Sequence, residues 1–333
     1  MDFRDRRSLK EAGERALQQS AYDPNRLMLL YAGATAAVML VVTVLNFLLQ
    51  QQIAGTGGLS GMGLRAALET GVQVLQMGCN LVLPFWTLGY LACMLRMVRG
   101  QDFGPGTMLE GFRHFGSVLW LNLYRGFYFM MLALMCLYMS MVIFEMTPLA
   151  QPMMDLMAPQ MEAIESGAAA DLSAVDTGAL FVAMLPMFGI FVVMFVLLAG
   201  PYFYRFRMAD YALMDNPAAG ARLALQRSTL MMKGNRVELL KLDLSFWWFY
   251  LLDLLTLGLC YLDLILALAG VALPISADAA WFVFYVLYLA AQLALYLWAR
   301  NRVESAYAVG YDILSQDLDR RIQELQEQMN QQQ

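Results

Sequence analysis

Apolar residues in this chain gather into six runs, each longer than the roughly 20 residues needed to cross a ~30 Å hydrocarbon core. They predict membrane helices at about 27–49, 70–95, 118–143, 178–204, 238–260 and 280–303. Polar segments between the runs carry a helical rhythm of their own. Over Arg7–Ser20, Leu9, Ala12, Ala16 and Leu17 fall on one side, the pattern of an amphipathic helix lying on a membrane surface. A second surface helix is predicted at 217–233. Asn216-Pro217 supplies its start and Lys233-Gly234-Asn235 its stop, with Leu223, Leu230 and Met231 on one side. In the loop 145–177, Met153, Met157, Met161 and Ile164 recur at helical spacing and predict a third. The tail 305–333 carries Leu314, Leu318, Ile322, Leu325 and Met329, a two-heptad stripe shorter than a coiled coil ordinarily needs.

Charge gives these runs a direction. Twenty of the 22 Lys and Arg residues fall in four segments: 1–26, the 96–113 loop, 205–241, and 300–321. Basic loops stay on the side of synthesis, so both termini are expected in the cytoplasm. The 145–177 loop has no basic residue and six acids, Glu145, Asp155, Glu162, Glu165, Asp171 and Asp176, and is expected outside. The chain is then an all-α polytopic membrane protein, N-in and C-in. A cytoplasmic segment 1–26 precedes a single six-helix domain 27–304, and a cytoplasmic tail 305–333 follows. Pro84 is expected to kink the second span. The stretch 237–270 would be about 50 Å long as one helix, so a break is expected near Thr256-Leu257-Gly258. Ala16–Ser20, Met108–Phe112 and Ala224–Ser228 each precede a pair of apolar runs, which suggests three units of surface helix plus hairpin.

Composition excludes more than it assigns. At 60% hydrophobic the chain exceeds the ~45–50% of soluble domains. Nothing supports nucleic-acid binding, because the basic charge belongs to topology. Cys79, Cys93, Cys136 and Cys260 lie in or beside apolar runs without CxxC spacing, the pattern of reduced thiols. The Gly-rich run 55–63 lacks a following Lys-Ser/Thr and reads as a linker. With His114 the only histidine and no HExxH, Walker or GxSxG pattern, no catalytic role, cofactor or metal is expected.

Four blocks carry a resemblance. They are Leu109-Glu-Gly-Phe112 with Phe115-Gly116, Tyr211-Ala-Leu-Met-Asp-Asn-Pro217, Ser228-x-x-Met231-Met-Lys-Gly-Asn235, and Ala306-Tyr-Ala-Val-Gly-Tyr311-Asp-Ile-Leu314. With Leu244-Ser-Phe-Trp-Trp248 and Leu255-Thr-Leu-Gly258 between them, the chain resembles the membrane family called domain of unknown function 975. A Pro-Tyr pair that follows the Thr-Leu-Gly turn in the family is absent here. The resemblance implies a bacterial plasma-membrane protein and no activity.

Two sets of residues are candidates for function. Ionisable groups at membrane depth usually face a cavity or pair, so Arg125, Asp253, Asn80 and Gln76 are expected to form a polar intramembrane site, with Arg125 and Asp253 at similar depth. Arg222, Arg227, Lys233 and Arg236 are expected to meet anionic headgroups of the inner leaflet. The function expected is a non-catalytic accessory protein that binds lipid or a partner, or a second copy through cytoplasmic helices. A small-solute transporter or channel is the alternative, and a lipid-modifying enzyme ranks below both.

Overall fold

The computed structural model describes residues 3–54, 59–166, 176–268, 270–271 and 276–332. The Gly-rich run at 55–58 and the acidic loop with Asp171 lie outside these residues, as do the side chains of Arg65 and Asp278. Helix accounts for 89% of the chain, and the described residues contain no strand. The helices are α1 (Arg6–Gln19), α2 (Pro24–Ala54), α3 (Leu59–Val98), α4 (Glu110–Arg113), α5 (Phe115–Glu145), α6 (Gln151–Glu165) and α7 (Thr177–Phe206). Then come α8 (Ala209–Asp215), α9 (Gly220–Met231), α10 (Arg236–Ser245), α11 (Trp247–Cys260), α12 (Leu262–Leu268), α13 (Ala277–Leu295) and α14 (Asn301–Gln331). Among the described residues, five helical stretches are long and apolar enough to cross a bilayer, six if the bent pair α10–α11 makes one span.

That pair departs from the expected single span at 238–260. α10 and α11 meet at 66°, with the corner at Phe246. The second break comes at Tyr261, while Gly258 lies inside α11. The corner is anchored. Phe246 is buried, Lys10 lies 4.1 Å above its ring, and the Lys10 ammonium donates to the Ser245 carbonyl at 2.9 Å. Burial and the charge of Arg6 lower the Lys10 pKa, with Glu14 opposing them. Inside α11 the Thr256 hydroxyl donates to the Asp253 carbonyl and to Gln292, so a residue expected to mark a break instead ties the helix to α13.

The chain divides into two compact units, residues 1–121 with 207–333, and residues 122–206. In the first, α3 is central. It packs on α2, on the turn Thr107–Leu109 with α4, on α8 and on α14. Two glycines set its closest approaches. A Cβ at Gly89 would run into the Met108 backbone, and one at Gly111 into the Phe85 carbonyl. The Leu109–Phe112 block can therefore lie directly on α3, where Phe112 and Phe115 stack on Phe85 at 5.6 and 4.8 Å. α1 packs along α14, and a Cβ at Gly13 would sit 2.7 Å from the Ser305 hydroxyl. In the second unit α5 and α7 meet through Tyr128 with Tyr202 and Phe206, and α6 packs on α7.

Candidate functional site

The polar groups of the first unit converge where α3 ends and α8 meets α14. α3 closes with Gly100 at φ +65°, its amide donating to the Met97 carbonyl and the Gln101 amide to Arg96. This paired closure, with a left-handed glycine, leaves Arg99 at the mouth of the helix. Its Nε donates to Asp312 at 2.8 Å, and its Nη1 pairs with Asp215. The Tyr311 hydroxyl completes the Asp215 carboxylate at 2.9 Å. Burial acts to lower the Arg99 pKa, but the hydrogen bonds and charges of the two aspartates outweigh it, and the net shift is upward. Beside this knot Arg96 donates to both Glu110 oxygens at 2.7 and 2.8 Å, and Arg227 pairs with Asp319 at 2.7 Å.

A second, deeper knot is built on Glu304, which is buried. The Tyr211 hydroxyl donates to its Oε2 at 3.1 Å, and Arg300 lies 3.4 Å from its Oε1. Tyr307 donates to Asp243 and meets the Tyr250 hydroxyl at 2.8 Å, with Arg207 stacked 4.7 Å from its ring. Arg300 belongs to a π-helical turn, Tyr296–Arg300, that joins α13 to α14. It stacks on Tyr296 at 4.5 Å and nears Tyr31 at 5.8 Å. Such wide turns cost helix hydrogen-bond geometry and are frequent at functional sites. Most charges in these knots thus have an opposite charge or a hydroxyl beside them.

The predicted intramembrane residues are held by different partners. Asp253 accepts from the Gln292 amide at 2.7 Å, and Gln292 in turn accepts from Thr256 at 2.6 Å. Gln76 and Asn80 share a pocket of about 440 Å³ with Asn46 and Gln73. Arg125 donates to Asn122 at 2.9 Å, one turn earlier on α5 in the second unit. Of the four predicted headgroup contacts, Arg222 and Lys233 are exposed, Arg236 is half-buried, and Arg227 engages Asp319. Glu304, Arg300 and Gln292 were not singled out by sequence. Their only signal was position, polar residues one to three turns along an apolar run that continues into a polar helix. Asp215, Tyr211, Tyr307, Tyr311 and Asp312 did lie in the resemblance blocks, and the fold brings those distant blocks together.

Long apolar helices with polar fastening at one end define the class as a helical membrane protein. More closely, the chain belongs to the family described as Protein of unknown function (DUF975), which matches residues 24–296. No match was found among the curated proteins or among the solved structures.

Proposed function

We propose that this chain is a non-catalytic accessory protein of a bacterial plasma membrane, with both termini in the cytoplasm, that binds anionic lipid headgroups. The observation that carries this reading is the outward face of α9 and α10. Along α9, α10 and the turns that flank them, the exposed side chains Leu223, Leu230, Val237, Leu240, Leu244 and Trp247 accompany the exposed cations Arg222 and Lys233 and the half-buried Arg236. A helix pair with this composition lies in the interface, its apolar residues in the acyl boundary and its cations among the phosphates. Each cation held near an anionic leaflet contributes about 1 kcal/mol. The internal fastening supports the same reading, because it spends the buried charges on one another and leaves these outward cations for headgroups. The stripe Leu318, Ile322, Leu325 and Met329 near the end of α14 offers a place for a partner or a second copy.

The test is lipid retention. The protein is purified from vesicles of mixed phosphatidylglycerol and phosphatidylcholine, and the bound lipid is counted. An anionic excess that disappears in Arg222→Gln/Lys233→Gln/Arg236→Gln supports the reading, and an unchanged excess rejects it. A second reading, a small-solute pathway, rests on the carboxamide pocket at Gln76 and Asn80 and on the Asp253–Gln292–Thr256 trio. Solute flux in proteoliposomes that falls in Asp253→Asn would favour it.

A further inference from the structure

A pocket of about 510 Å³ lies between α1, the start of α2 and the junction of α13 with α14. Its charged walls are Glu14, Asp23 and Arg302, and its neutral polar walls include Asn25 and Asn301. Two observations set its level. Pro24, also in the lining, is the first residue of the α2 span. Trp298, also in the lining, is 58% exposed and belongs to the π-helical turn. Tryptophan favours the headgroup level, where an apolar ring with one polar edge is best solvated. The pocket thus opens where the chain passes from polar segment to apolar span.

The pocket is a built one. Asn301 is buried, accepts from the Tyr90 hydroxyl at 2.9 Å, and donates to the Pro24 carbonyl at 3.1 Å and to Asn25 at 3.3 Å. Those bonds pin the start of α2 to α14. Gly13 lets α1 lie against Ser305 and Ala306, and the neighbouring Glu14 lines the pocket. Asp23 fixes the first turn by accepting from the Asn25 amide at 2.9 Å, and it meets Arg26 only at 3.7 Å. Arg302 makes no ion pair among the described residues, unlike Arg99, Arg227 and Arg300.

We propose that this pocket binds a zwitterion carrying a primary ammonium and a phosphate, the chemistry of an ethanolamine phosphate headgroup. Arg302 takes the phosphate, and the carboxylates of Glu14 and Asp23 take the three N–H donors of the ammonium. Trp298 and Leu297 border the acyl side. A quaternary ammonium has no N–H to offer those carboxylates, so choline lipid is discriminated against. This site is separate from the α9–α10 face and does not depend on it.

The test uses the full-length chain in nanodiscs of phosphatidylethanolamine, phosphatidylcholine and phosphatidylglycerol, with retained lipid counted by native mass spectrometry. Ethanolamine lipid is expected to be retained in preference to choline lipid by about tenfold, the factor that one charge-assisted contact supplies. Arg302→Gln, Glu14→Gln and Asp23→Asn each lower that preference, the last while keeping the hydrogen bond to the Asn25 amide. Arg222→Gln/Lys233→Gln/Arg236→Gln leaves it intact, whatever happens to phosphatidylglycerol. Added phosphoethanolamine tells the sources apart. Displacement of the lipid means that the headgroup alone is recognised, and retention against it means that the acyl-bearing lipid is required. Equal retention of ethanolamine and choline lipids by the wild type overturns the proposal. So does an undiminished preference in all three pocket variants whose thermal unfolding matches the wild type.

Discussion

α3 and α7 are both proline-bearing apolar helices long enough to span a bilayer, yet they pack very differently. Over its most apolar stretch α3 is 56% buried, whereas α7, with the higher hydropathy, is 6% buried. Hydropathy therefore does not decide which membrane helix becomes the core. Lipid tails are as apolar as leucine, so a helix leaves lipid for protein only where shape or polar bonding rewards it. α3 supplies both. Gly89 admits the Met108 backbone, Trp86 donates to the Tyr31 carbonyl at 3.1 Å, Thr87 meets the Tyr31 hydroxyl at 3.1 Å, and Arg96 holds Glu110. α7 turns Val192, Val193, Val196 and Leu197 outward.

The sharpest way to break this contrast is to place a methyl group on each helix. Gly89→Ala meets backbone that cannot rotate away, and a loss of about 3 kcal/mol or more is expected in thermal unfolding in micelles. Gly111→Ala, on the facing segment, should behave alike. Gly189→Ala in α7, where a Cβ meets nothing within 4 Å, should be neutral or stabilising by up to about 1 kcal/mol. Equal losses at Gly89 and Gly189 would end the comparison.

Next in size is Arg99→Met, which strands Asp215 and Asp312 together without their cation. Because Arg99 is partly solvated, the expected cost is about 2 kcal/mol, below that of a fully buried pair. Arg99→Lys should recover only part of it, since a single ammonium cannot reproduce the two-sided fork. Tyr211→Phe, which removes one hydrogen bond from Glu304, is expected to cost about 1 kcal/mol in the same assay.

Smallest of all is the intramembrane polar trio. A double-mutant cycle on Asp253→Ala and Gln292→Leu should give a coupling of about 0.6 kcal/mol, the mean for interhelical hydrogen bonds in membranes. The parallel cycle on Arg125→Ala and Asp253→Ala tests the expected intramembrane pair. Additive losses there would remove it.

The described residues hold five or six helices long and apolar enough to cross a membrane, a number legible in the sequence because each apolar run is long and its ends are marked by charge or by proline. Within the predicted 217–233 stretch the structure has a helix, α9, over Gly220–Met231. Pro217 opens a 3₁₀ turn ahead of α9, and Gly234 at φ +89° ends the helical stretch. The corner at Phe246 was not legible, since it depends on Lys10 arriving from more than two hundred residues away. The fastening knots were hidden for a related reason. Arg99, Asp215 and Asp312 are each ordinary surface charges within their own segments, and only the tertiary contact makes them partners. Asp253 stood out as a charge among leucines, but its partner Gln292 did not, because a lone glutamine in an apolar run carries little signal.

The helix from Ala279 to Gln331 runs 53 residues without an end, about 80 Å as a rod. Its far half is tethered at Asp319 to Arg227. The wide turn at Tyr296–Arg300 adds a residue to the rod, which offsets its two halves by about 100°. Without that offset Glu304 and Tyr307 would be carried about 100° around the axis, away from Tyr211 and Asp243.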